Sequence, residues 1–254
     1  MHIEEVHVWR GSPEQQALRA QALKTSQFAY FDAQLDHPDW TGKSVLDFGG
    51  NRGGLLADPS CRIRPGDYYC LDVIKEAIDQ GRITFPDSHW FHYDRYNCSF
   101  NPSGVVDLPI PDLRQEFDII LAYSVFTHTT LAEMKDLVGQ LAARLAPGGT
   151  LAFTFIDPHW KENLKWRLER ANPEGDFESV LAQSRGARWC SLVNGVEFYV
   201  ESSGSWTNEA NETVESCMTY HVFYTEAFMR ELFPQAIIRT PVNDEMQHCC
   251  LIRR

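Results

Sequence analysis

The sequence contains no Cys-x-x-Cys spacing, no basic tract and no stretch approaching ~18 consecutive apolar residues. Each absence removes a class of protein. The seven cysteines, at 61, 70, 98, 190, 217, 249 and 250, are odd in number and irregularly spaced. They suit buried, reduced thiols better than a disulfide framework or a zinc site, so no metal is expected. The 23 Lys and Arg stand singly or in pairs against 35 Asp and Glu, for a formal net charge of −12. Phosphate backbones would be repelled by that surface, and no nucleic-acid partner is expected. Without a long apolar run there is no candidate membrane helix and no membrane partner. The opening "MHIEEVHVWRG" has neither the basic region nor the apolar core of a signal peptide, which predicts a cytoplasmic protein. The oligomeric state is not legible.

What is present suits one large domain, or one domain with an elaborated cap: 254 residues, 43% apolar and 23% charged. Residues 13–35 carry good helix formers without a breaker. Strands are expected at 44–48, 67–73, 89–94, 117–126 and 150–157, the fourth being an apolar run of the kind buried on both faces of a parallel sheet. Met134, Leu137, Val138, Leu141 and Leu145 recur at helical spacing, and "APGG" then stops the helix. Strands alternating with helices predict an α/β fold with a doubly wound, mostly parallel sheet. The rhythm breaks at about 158, where a polar, tryptophan-rich segment holds an Asn-Gly hairpin signal in "LVNGVEFYV". Residues 158–221 are therefore expected to form a cap inserted after strand five. Residues 1–157 and 222–254 form the main domain, and "AIIRTPV" and "HCCLIRR" complete seven strands.

The segment "SVLDFGGNRGGLL" at 44–56 ends a buried strand in a carboxylate, Asp47, beside a loop of glycines. A dinucleotide fingerprint needs glycine where Asn51 stands, and no Walker lysine follows. A pyrophosphate beside Asp47 would meet like charge, whereas a cationic ligand would be stabilised there. A short helix is expected after the loop.

These residues resemble the first motif of the class I S-adenosylmethionine-dependent methyltransferases, an acidic strand end leading into G-x-G-x-G. Gly49 and Gly53 match the outer glycines, and Asn51 departs at the middle one, where asparagine tolerates left-handed backbone better than most residues. The resemblance covers roughly residues 40–157 and, more faintly, 222–254. It implies a Rossmann-like fold, S-adenosylmethionine as cofactor, S-adenosylhomocysteine as product and a small-molecule methyl acceptor. Asp47, Gly49, Gly50, Asn51 and Gly53 would hold the cofactor. Asp72, with Val73 beside it, would accept hydrogen bonds from both ribose hydroxyls; a helix N-cap is the alternative for Asp72. Asp94 would lie near the adenine amino group, with Asp107 in "VVDLPIPD" as competitor. "FDIILAYSVFTH" resembles the fourth strand and its loop and places Tyr123 and Ser124 at the cofactor. The same pocket would also suit a non-catalytic cofactor-binding scaffold, or an enzyme that cleaves or cyclises the cofactor itself.

Methyl transfer needs proximity and a dry pocket, and a base only where the acceptor carries a proton. His128, in the loop after strand four, titrates in a range that suits a base. It stands equally well at the start of the next helix, with Thr129 or Thr130 as cap. In "IDPHW", Asp157 could orient His159 as a second catalytic candidate, with Trp160 as an apolar wall of the acceptor site. A capping Asp at a tight turn is the competing reading. Tyr220 and His221 stand where the cap would return to the pocket. His92 and Asp94 share a strand face but have no third ligand at metal spacing.

Overall fold

In a computed structural model, residues 27–97, 99–165, 178–193, 197–200, 219–242 and 246–254 are described. Helix α1 (Gln27–Gln34) precedes strand β1 (Val45–Phe48), which leads through the glycine loop to β2 (Tyr68–Asp72). Helix α2 (Lys75–Thr84) and β3 (His89–His92) follow, then β4 (Phe117–Ala122), α3 (Leu131–Ala142) and β5 (Leu145–Phe155). The chain continues through α4 (Glu178–Ser184), β6 (Trp189–Val193), β7 (Glu197–Val200) and β8 (Thr219–Tyr224). It closes with α5 (Glu226–Leu232), β9 (Ile237–Arg239) and β10 (His248–Arg253).

Seven strands form one sheet in the order β3-β2-β1-β4-β5-β10-β9, parallel from β3 to β5 with β10 antiparallel to both neighbours. The order reverses between β1 and β4, and ligands of such sheets bind beyond the strands' carboxyl ends at that crevice. Strand residues alternate between two apolar layers. Leu46, Phe48, Phe153 and Cys250 pack with Met134, Leu137 and Leu141 of α3 and Phe228 and Met229 of α5. Val45, Tyr68, Cys70, Leu121 and Cys249 pack with Phe28, Tyr30 and Phe31 of α1 and Ile78 of α2. Among the described residues Cys70, Cys190, Cys249 and Cys250 are buried. No helix among the described residues is long and apolar enough to cross a membrane.

The periodic stripe of α3 is buried as its spacing requires, and the helix starts on a capping box between Thr130 and Glu133. Several boundaries differ from the sequence expectation, the first being β4, which stops at Ala122 instead of running to 126, where a 3-10 turn begins. Strand β5 begins at Leu145, with a register shift between Phe117 and Ile119 on β4 that accommodates "APGG". Strand β3 stops at His92, because Tyr93 turns inward and bonds the Leu108 carbonyl. The glycine loop is followed by turns rather than a short helix. The inserted segment contains a three-stranded antiparallel sheet, β7-β6-β8, whose last strand runs past residue 221 to Tyr224 because Val222, Phe223 and Tyr224 are themselves buried. The β6–β7 hairpin is present, with its Asn-Gly turn outside the described residues. The same holds for most of the helix expected at 13–35.

Candidate active site

The glycine loop lies at the carboxyl end of β1, beside the crevice. Gly49, Asn51 and Gly53 all have positive φ, at 76°, 52° and 82°. The one departure from G-x-G-x-G thus falls on a left-handed position, which asparagine reaches at lower cost than most side chains. Replacing Asn51 with valine is expected to cost about 1–2 kcal/mol of stability, and replacing it with glycine a few tenths. Urea unfolding checks this, and equal losses in the two variants would sink the backbone explanation.

Gly50 has no room for a side chain: a Cβ there would come within 2.5 Å of the Asp47 carboxyl and 2.9 Å of Cys70 Sγ. Asp47 therefore lies directly beneath the loop. Its Oδ2 accepts a 2.6 Å hydrogen bond from the Tyr68 hydroxyl, and it is buried. Burial pushes its carboxyl up to about 7, with the charge of Asp72 adding to the rise against the Tyr68 bond. Among the described residues neither Asp47 nor Asp72 pairs with a lysine or arginine. Two buried carboxyls beside a glycine-rich loop form a set of acceptors that a cation satisfies and a phosphate does not.

Asp72 links loop and strand. Its Oδ2 accepts from Asn51 N–H at 2.8 Å and its Oδ1 from Ile74 N–H at 2.7 Å. The N-cap position of α2 belongs to Ile74, not Asp72. Burial raises the Asp72 carboxyl above its ordinary value despite those two bonds. Val73 is half-buried and its carbonyl lies 3.3 Å from His92 Nε2. Asp94 is exposed beyond the end of β3, and Asn101 Nδ2 donates to it at 3.1 Å. Asp107 is turned to the buried Arg95, 3.7 Å away.

Tyr123 and Ser124 follow β4 at the crevice. Tyr123 meets Tyr30 and Phe31 edge-on, and Ser124 is left-handed, with φ 57°. His128 ends a 3-10 turn over Phe126–His128 and precedes α3 without capping it. Its carbonyl accepts from Asn97 Nδ2 at 3.0 Å, and its ring meets Phe100 edge-on at 5.2 Å. The buried His221 of β8 brings a second imidazole to 4.8 Å from it, with the planes inclined at 54°. Residues 93 positions apart in sequence thus meet beside the turn after β4. The backbone of Tyr220 also lies on β8.

Asp157 does not orient the His159 ring. Its two oxygens accept from the backbone N–H of His159 and of Glu226, both at 2.8 Å, so the carboxylate caps a turn and the start of α5. The exposed His159 points its Nε2 to the Ser184 carbonyl, 3.2 Å away. Trp160 stands edge-on to His248 at 5.1 Å. Near it are polar groups that the sequence did not signal. Trp160 Nε1, Asn163 Oδ1 and His248 Nδ1 are buried without a hydrogen-bond partner among the described residues. Asn163 Nδ2 is fixed to the carbonyls of Asp157 and Met246. Burial holds His248 below its ordinary value against the pull of Asp157 and Glu226, so it is neutral near pH 7.

Residues 46–151 match a family model described as a methyltransferase domain. A ubiquinone biosynthesis O-methyltransferase from Nitrobacter winogradskyi is 27% identical over 145 residues, covering 57% of this chain and 51% of that protein. The chain thus spans about half the length of the curated relative it matches. Among solved structures, the amino pentose methyltransferase CalS10 from Micromonospora echinaspora superposes with a TM-score of 0.52 at 16% identity, covering 96% of this chain and 97% of that one. An S-adenosylmethionine-dependent methyltransferase from Clostridium acetobutylicum gives 0.52 at 11% identity, over 95% and 99%. Both share the fold. Residues 46–151 thus carry a match to a methyltransferase domain, within a sheet order and glycine loop similar to those of the class I S-adenosylmethionine-dependent methyltransferases.

Proposed function

We propose that this chain is a cytoplasmic enzyme that uses S-adenosylmethionine to methylate a small molecule. The observation that carries the reading is the left-handed run at 49, 51 and 53, held over Asp47 and tied to Asp72 through Asn51. When bound, the cofactor supplies a methyl group on a sulfonium. Asp47 and Asp72 favour its positive charge, and the free lone pairs of Asp72 are available to the ribose hydroxyls. Gly49, Gly50 and Gly53 admit close backbone approach, with Val73, Tyr123 and Ser124 along the rim. Asp94 is the carboxylate assigned to adenine, because it stands just beyond the carboxyl end of β3.

The acceptor belongs on the cap side, toward the His128–His221 pair and the Trp160–His248 contact. Each orphaned polar atom of Trp160, Asn163 and His248 costs about 1–3 kcal/mol, so a polar group that reaches them recovers that energy. Trp160 donates, while Asn163 Oδ1 and neutral His248 accept, a set matched to a hydroxyl-bearing molecule. His128 takes the acceptor's proton.

Calorimetry with S-adenosylhomocysteine tests the reading. The wild type is expected to bind, and Asp72→Ala to bind at least about tenfold more weakly, or 1.4 kcal/mol, because charge-assisted hydrogen bonds disappear. Unchanged affinity in a folded Asp72→Ala protein would overturn the ribose assignment. Product analysis then separates transfer from self-cleavage, since 5′-methylthioadenosine formed without an acceptor would contradict methyl transfer.

A further inference from the structure

Ser124 occupies a conformation that residues with a Cβ disfavour, and three of its polar groups are fixed. Its N–H donates to Thr154 Oγ1 at 2.7 Å. Its carbonyl accepts from the Thr127 hydroxyl at 2.9 Å, and its own Oγ lies 3.0 Å from the same oxygen. Thr154, on β5, is fully buried. Having accepted the Ser124 N–H, its hydroxyl donates to Gln247 Oε1 at 2.6 Å. The Gln247 backbone carbonyl in turn accepts from the buried Tyr30 hydroxyl at 2.9 Å. A relay of hydrogen bonds therefore runs from α1, through the residue before β10 and the middle of the sheet, to the turn after β4.

That turn carries Val125, whose Cγ2 fills the space a Cβ at Gly49 would need. The spacing between the two loops that face each other across the crevice is thus set by where Ser124 holds Val125. We propose that Thr154 and Gln247 are positioning residues for cofactor binding: they hold the Ser124 turn and so the width of the cleft between it and the glycine loop. The inference rests on reading that cleft as the cofactor site. Valine would fill a buried strand position as well as threonine does; what it lacks is the hydroxyl, whose two bonds go to Ser124 and Gln247.

The test compares Thr154→Val, Thr154→Ser and the double variant Thr154→Val/Ser124→Gly. S-adenosylhomocysteine affinity is measured by calorimetry and exchange of the Ser124 amide by NMR or mass spectrometry. Thr154→Val is expected to bind about tenfold more weakly and to lose protection at Ser124, while Thr154→Ser stays within about twofold of wild type. Glycine adopts left-handed backbone without a tether, so the double variant is expected to recover part of the affinity that Thr154→Val loses. A general loss of packing would not be repaired by Ser124→Gly. Wild-type affinity in Thr154→Val, or a double variant no better than the single one, overturns the proposal. Gln247→Ala takes the place of Thr154→Val if the latter does not fold, with the same expected direction. If the wild type itself fails to bind, the cofactor reading falls, and Ser124 protection still decides the relay: unchanged exchange in Thr154→Val would refute it.

Discussion

Replacing His128 with alanine is expected to lower turnover at least about a hundredfold, or 2.7 kcal/mol, while S-adenosylhomocysteine affinity stays within about twofold. The split follows from where His128 sits. Its backbone is held from two sides, by the bond from its N–H to the Val125 carbonyl at 3.0 Å and by Asn97 on its own carbonyl. Its ring meets those of Phe100 and of His221 on β8. The Asp47–Asp72 side of the loop makes none of these contacts. A base must be neutral to accept a proton, so wild-type turnover should fall toward acid pH, and the alanine variant should lose that limb. Rates are read as S-adenosylhomocysteine release, with whichever member of a phenol, carboxylate and amine panel the wild type methylates. An alanine variant with the same turnover and the same pH profile would remove His128 from the chemistry. His128→Gln, which keeps hydrogen bonding without a base in this range, should be as slow as alanine.

The sheet was largely readable because parallel strands buried on both faces appear as unbroken apolar runs, as β4 does, and because α3 repeats at helical spacing. Asp47 and Asn51 were readable because their side chains contradict their surroundings: a carboxylate ending a buried strand, and an asparagine where glycine is usual. Ser124 gave no such sign, since serine is commonplace in loops and its left-handed φ goes with a bond to Thr154 and one from Thr127. Thr154 was hidden for the opposite reason. In "TLAFTFID" it reads as one more β-branched strand former, although it is the one buried polar side chain in the interior of β5. Asp157 and His159 stand two apart in a tight turn, which suggested a side-chain pair. The turn instead brings the His159 backbone N–H to the carboxylate and sends the ring toward α4. The His128–His221 and Trp160–His248 contacts join residues 93 and 88 positions apart, and no local pattern encodes them.

Asp47→Asn is expected to stabilise the ligand-free protein at pH 8 by up to about 4 kcal/mol, with the gain vanishing toward pH 4. The sign follows from the direction of the shift. The Asp47 carboxyl is raised from 3.8 to about 7 in the folded protein, chiefly by burial, and returns to its ordinary value on unfolding. Between those limits the folded state binds more protons than the unfolded one, so stability falls as pH rises through the interval and levels off above it. Asparagine keeps the shape that Gly50 packs against and still offers Tyr68 an oxygen, but carries no charge to bury. Urea unfolding of both proteins at pH 4.5, 6 and 8 isolates the effect, because every other titrating group is common to the pair. Parallel stability curves would show that Asp47 does not carry the buried charge. A cationic ligand should reverse the balance, since its ammonium group stabilises the ionised carboxylate that the empty loop penalises. Wild-type affinity for S-adenosylhomocysteine should therefore rise from pH 6 to pH 8, with proton release on binding, while the asparagine variant binds more weakly and with a flatter pH dependence. The same residue then makes the empty loop less stable and the filled loop selective for positive charge.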